Sequence, residues 1–233
     1  MSRVTDEINL VDRPLAGARI WLSGCLPEGV DAMSEVGQKI LEFVGDFADR
    51  VFDLGGTIFH GAHPDFTPVL LNRLRMRYGD VNDKRYCLEL CVAEYFSKQP
   101  NLVPIDEWKK ECQVYTIRGT EENSDLADSL LELRGWMNKH ASAIVVIGGK
   151  SSPKSGVEIE LKLAINRGIA AFVVGGFGGA AGDIVKTKSR MLYTLRNGFD
   201  RGYNVVRIGR EDDPWWLAEK IVDQLTRLPL VIR

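Results

Sequence analysis

The residue of most chemical interest is a glutamate at the start of a helix. From Gly156 to Arg167 the apolar side chains recur with a helical period. At ~100° per residue, Val157, Ile159, Leu161, Leu163, Ala164 and Ile165 form a broad apolar arc. Glu158, Lys162 and Asn166 fall opposite, with Glu158 and Lys162 expected as an i, i+4 surface pair. Glu160 lies inside the arc, one turn from the helix start. A carboxylate aimed inward must be paired or must serve a ligand. A sugar hydroxyl is a suitable partner, since a carboxylate accepts two such hydrogen bonds. The plainer account is a helix-start carboxylate favoured by the macrodipole.

Glycines mark the other places where a ligand could approach. They recur at Ser23-Gly24, Gly55-Gly56-Thr57, Arg118-Gly119, Gly148-Gly149-Lys150 and Gly175 through Gly179. Each is read as the end of a strand, where backbone turns sharply and comes close to a ligand. A glycine-rich loop entering a helix also aims free N–H groups at an anion. No Gly-x-Gly-x-x-Gly follows the first strand and no Walker lysine motif is present, which excludes an ordinary dehydrogenase or P-loop ATPase. His60 and His63 bracket a turn before Pro64 and Asp65. With no further ligand at short range no metal is expected; a hydrogen bond from one histidine to a ligand or to loop backbone is. Cys25, without an identifiable base, is read as an inert thiol. Trp215-Trp216 is read as a core anchor for the last helix.

These positions need a scaffold, and the pattern supplies one. Strands are expected at 18–23, 114–117, 143–147, 170–174 and 205–208. Helices are expected at 33–51, from Thr67-Pro68, at 125–140, at 156–167, from the 175–179 loop to about 196, and at 213–225. Residues 84–95 fit either strand or helix. Central strands that are apolar without alternation, interleaved with helices, indicate a parallel sheet covered on both faces. The expected fold is therefore α/β: a three-layer, Rossmann-like domain with a mainly parallel central sheet. Residues 1–16 are expected as a flexible arm and 17–233 as one domain. In such sheets ligands bind beyond the carboxyl ends of the strands.

Composition narrows the function classes. The chain has 233 residues, 45% of them hydrophobic, and 30 Lys and Arg against 32 Asp and Glu. That balance argues against nucleic acid as a partner. No apolar run reaches the ~20 residues of a membrane span, so no membrane partner is expected. The N-terminus lacks a secretory pattern, and four unpatterned cysteines suit reduced thiols in a cytoplasmic protein.

Four sequence elements carry a resemblance. Leu22-Ser23-Gly24 followed by Pro27 resembles the opening of SLOG domains, the superfamily of the LOG cytokinin-activating enzymes and DprA-like folds. Gly61 through Pro68 resembles the Gly-Gly-His-Pro-x-x-Thr-Pro element of SLOG proteins linked to TIR domains and NAD in bacterial immunity. Ile147-Gly148-Gly149 with Ser155 to Glu160 resembles the LOG Gly-Gly…Gly-Thr-x-x-Glu motif and aligns its glutamate with Glu160. Val174 to Ala181 is similar to the Gly-Gly-Ala-Ala loop of immunity-type SLOG domains. The chain departs from the LOG motif at Ile147 and Val157, and six residues separate the glycine pair from Gly156.

The resemblance implies a nucleotide site. Expected ligand-binding residues are Ser23, Gly24, Gly56, His63, Arg118, Gly148, Gly149, Lys150, Glu160, Gly178, Gly179 and Ala180. N–H groups of Ser23-Gly24 and Gly178-Gly179 would hold phosphates, Lys150 or Arg118 would add charge, and Glu160 would take ribose hydroxyls. Two readings follow. One is a sensor of an ADP-ribose-derived signal, such as a cyclic ADP-ribose isomer, in bacterial defence, acting as a homo-oligomer with a separate effector or TIR-type protein. The other is an N-glycosidase or phosphoribohydrolase in which Glu160 is catalytic, with Asp53, Asp65 or His63 as candidate acids. No cofactor is expected for either.

Overall fold

The computed structural model of the protein describes residues 13–79, 86–99, 103–119, 125–152 and 155–232. Its strands are the apolar runs the sequence offers: β1 (Arg19–Cys25), β2 (Thr57–His60), β3 (Leu88–Ala93), β4 (Gln113–Ile117), β5 (Ala143–Gly148) and β6 (Ala170–Val174). Every residue of β3, β5 and β6 is buried, as a strand covered on both faces requires. All five pairings are parallel, in the order β4-β3-β2-β1-β5-β6. The chain first builds outward from β1 to β4, then returns to add β5 on the other side of β1. The carboxyl ends of β1 and β5 therefore flank the point where connections diverge, and a crevice opens there.

Helices cover both faces. On one, α1 (Glu35–Asp53), α2 (Thr67–Tyr78) and α8 (Pro214–Arg227) pack Phe43, Phe47, Leu70, Leu217 and Ile221 over Ile20, Leu22 and Val145. On the other, α5 (Leu126–His140), α6 (Gly156–Arg167) and α7 (Gly179–Thr187) pack Leu133, Met137, Leu161 and Ile184 over Trp21, Ile144 and Val146. Two short helices, α3 (Glu94–Ser97) and α4 (Ile105–Trp108), follow β3. Caps fix the boundaries. Ser34 Oγ accepts the Gly37 N–H, Asp125 accepts from Asp128, and Asp213 accepts from Trp216. Such a cap is worth about 1 kcal/mol.

The expected α/β sandwich is observed, with four local corrections. The run 205–208 is no strand: Tyr203–Ile208 is a turn of wide, π-type helix. Asn197 explains it. Its side-chain amide donates to the carbonyl of Ala171 in β6 and to Asn204 Oδ1, so an amide occupies the sheet edge a seventh strand would have taken. The helix expected to run to about 196 stops at Thr187, and a 3₁₀ turn, Ser189–Tyr193, follows. Trp215 is no core anchor but 55% exposed, under the Arg50 guanidinium. Leu15, placed in the expected arm, is fully buried, and its N–H donates to Leu54; residues 1–12 lie outside the described residues. No helix among the described residues is long and apolar enough to cross a membrane.

Candidate functional site

Parallel register brings Gly24 opposite Ile147 and Cys25 opposite Gly148. Only glycine fits at Gly24. A Cβ there would stand 2.0 Å from the Ile147 carbonyl oxygen. Gly148 and Gly149 both have positive φ, 58° and 83°, which turns the chain sharply off the sheet. Beyond these strand ends lies a cavity of about 1020 Å³. Its polar wall is formed by Ser23, Gly24, Gly149, Lys150, Ser155 and Glu160, with Arg134 beside them. Its far wall is apolar, from Leu71, Val92, Phe96, Trp108, Leu133 and Met137.

Glu160 is the centre of the polar wall. Residues 19, 21 and 23 of β1 point to the face covered by α5 and α6, which aims the Ser23 hydroxyl at α6. It donates to Glu160 Oε2 at 2.5 Å, while Arg134 Nε of α5 donates to Oε1 at 3.1 Å. Glu160 and Arg134 side chains are 17% and 18% exposed. Burial pushes the Glu160 carboxyl above its ordinary value, opposed by the Ser23 hydrogen bond and the Arg134 charge. Each carboxylate oxygen can accept more than the one bond it receives.

The helix register also revises the partner carboxylate. Glu158 is buried rather than on an exposed face, and salt-bridged by both Lys162 and Lys188. Their hydrogen bonds hold its carboxyl below the ordinary value. The buried positions of α6 are Val157, Glu158, Leu161 and Ala164, so the true apolar stripe is narrower than the sequence arc and Ile159 lies at its margin.

At the start of α6 no side chain caps the helix. Its first-turn N–H groups have no partner within the helix. The Ser155 hydroxyl, in a residue 5% exposed and lining the cavity, has no hydrogen-bond partner among the described residues. Helix start, serine and the neighbouring Lys150 make a positively polarised corner.

Other expected site residues separate. Ser23, Gly24, His63, Gly149, Lys150 and Glu160 line the cavity. Gly56 does not. It precedes β2 at the amino edge of the sheet, against Leu15 and Val51. Arg118 follows the edge strand β4 and is exposed, away from the cavity wall. Gly178, Gly179 and Ala180 stand behind Gly148-Gly149, and the N–H groups of Gly178 and Ala180 are spoken for. Gly178 N–H donates to Gly175, and Ala180 N–H to the Gly149 carbonyl. This loop braces the Gly148-Gly149 turn, and none of its three residues lines the cavity.

His60 and His63 act on each other. Buried His60 donates Nδ1–H to the Leu22 carbonyl at 2.8 Å, and its Nε2 accepts the His63 N–H at 3.2 Å. Those two bonds require the neutral ring, and burial drives His60 down to about 4. Among residues the sequence reading missed, Arg134 left a signal: it continues the stripe Leu130, Leu133, Met137 on α5, an arginine where an apolar side chain belongs. Ser155 left none.

Residues 82–197 match the family model described as SLOG cluster2. Over that stretch, just under half of its length, the chain is similar to SLOG domains. The matched stretch runs across β3, β5, α6, β6 and α7 and includes Arg134, Gly149 and Glu160. Among solved structures the chain is similar to a structural-genomics target, TM1055, determined by X-ray crystallography. Identity is 15%, over 73% of this chain and 81% of that one, with a TM-score of 0.45. No curated protein matches the chain. The family match supports, at a coarse level, binding or processing of a nucleotide-related ligand.

Proposed function

We propose that the cavity binds a nucleotide of dinucleotide size, an ADP-ribose-derived signal in kind, and that the protein senses it. The observation that carries this reading is the shared wall of Glu160 and the uncapped start of α6. A phosphate at the helix start would meet free N–H groups, the Ser155 hydroxyl and Lys150. A ribose one step further would meet Glu160, held in place by Ser23 and Arg134. The apolar wall then receives a base against Phe96 or Trp108. At about 1020 Å³ the cavity is at the upper end of the ~300–1,000 Å³ of ligand pockets, more room than one mononucleotide fills.

One observation favours a second reading, hydrolysis of an N-glycosidic bond. Glu160 is a largely shielded carboxylate beside an arginine, positioned to face the cation that develops at a ribosyl carbon. Calorimetric titration with ADP-ribose, NAD, AMP and NMP, followed by chromatography of the products, separates the two. Sensing predicts tight ADP-ribose binding with no free base or nicotinamide. Glu160→Gln should then lower affinity by on the order of tenfold or more, since hydrogen bonds to a charged group are worth about 1.5–3 kcal/mol. Release of base, lost in Glu160→Gln with binding retained, would establish the hydrolase. No heat with any nucleotide would defeat both.

A further inference from the structure

The end of β1 and the β2–α2 loop bring together three groups outside the Glu160 and helix-start contacts proposed for the nucleotide. The sulfur of Cys25, a ring nitrogen of His63 and a carboxylate oxygen of Asp65 all lie within 4.8 Å of one another. We propose that they form a binding site for a divalent transition-metal cation of borderline softness, zinc in kind. One thiol, one imidazole and one carboxylate make the mixed S, N, O donor set such a cation takes, and calcium or magnesium would decline the sulfur.

The donors are held from behind. Asp65 Oδ2 accepts the Leu26 N–H at 2.8 Å and stands 3.5 Å from His63 Nδ1. The His63 N–H is fixed by His60 Nε2, which sets where the ring begins. Ala62, between them, sits at φ 54°, a left-handed conformation unusual for a residue with a Cβ. Cys25 and His63 line the cavity, so a cation on three protein ligands keeps a fourth position facing it.

The same three residue types could instead suggest a cysteine nucleophile with a histidine base, but the charges oppose it. Burial and the Asp65 carboxylate raise the Cys25 thiol, outweighing the Lys150 N–H and ammonium that lower it. A nucleophile needs the thiolate that this carboxylate repels; a divalent cation between them attracts both. On binding, the Cys25 thiol releases its proton to solvent and the sulfur donates a lone pair, while His63 binds as the neutral ring and no electron changes hands.

Cobalt reads this directly, with no nucleotide present, so the outcome is independent of the ligand reading. The full chain, stripped with a chelator and titrated with Co²⁺, should develop a thiolate-to-cobalt charge-transfer band in the near ultraviolet. Zn²⁺ should bleach it. Cys25→Ser should abolish the band, and His63→Ala should weaken Co²⁺ affinity by at least about tenfold. Cys87→Ser should leave the spectrum alone. Far-UV circular dichroism confirms that each variant is folded, and if Cys25→Ser fails to fold the His63→Ala titration decides. No charge-transfer band in the folded wild-type chain, a band that survives Cys25→Ser, or unchanged affinity in His63→Ala would overturn the proposal.

Discussion

Glu160 and Glu158 stand two positions apart on α6 and have opposite electrostatics. Burial raises one; two lysines lower the other. Their substitutions should therefore part in both property and pH. A carboxyl with a folded value below its unfolded one contributes stability above the unfolded value of about 4.5. That contribution is lost as pH falls through the depressed folded value. Glu158→Gln should thus lower the urea midpoint at neutral pH, by about 1 kcal/mol or less because both lysines reach solvent. The gap to wild type should close as pH drops below about 4.5. Nucleotide affinity should not change, since Glu158 does not line the main cavity. A gap that persists undiminished in acid would mean the lysine pairs are not its source. That Glu160 and not Glu158 lines the main cavity was legible from sequence, because a face count needs only one helix. Judging Glu158 exposed failed because Lys188, its second partner, comes from beyond α7, which no local period reveals.

Helices and strands were legible wherever their own residues decide them. The bounds of α6 and the burial of β5 and β6 follow from short, unambiguous apolar patterns. The run at 205–208 did not, because a side chain elsewhere settles it. Asn197 occupies the edge of β6, and Asn204 is buried with it. Asn197→Ala should leave the Ala171 carbonyl and the Asn204 amide short of partners, costing about 1–3 kcal/mol in equilibrium urea unfolding. A variant as stable as wild type would show that water replaces the amide without penalty. The glycine loop before α7 was legible as a loop but not in its role. A Cβ at Gly179, where φ is 64°, would stand 2.5 Å from the Gly149 carbonyl oxygen. Gly179→Ala should accordingly lower the melting temperature and weaken nucleotide binding together, through the displaced Gly148-Gly149 turn. Loss of binding with an unchanged melting temperature would instead place this loop against the ligand. The Cys25, His63 and Asp65 cluster was invisible for a related reason. Its members lie on two crossing segments, and only the β1–β2 register joins them.

At the scale of the whole molecule, strand order fixes where the site stands, and it also governs how the chain must come together. β1 is synthesised well before β5 and sits in the middle of the sheet, so one of its flanks waits for that strand. The Arg19 N–H meets Ser142 across 123 residues of sequence. Until β5 is made, β1 through β4 can pair only among themselves, leaving one flank of the central strand with unsatisfied backbone groups and the apolar Trp21 exposed. Such an open edge templates contact between chains. Long-range pairing of this kind also places folding in the slow, millisecond-to-second regime. Nascent chains that end before β5 are thus the species most in need of a chaperone.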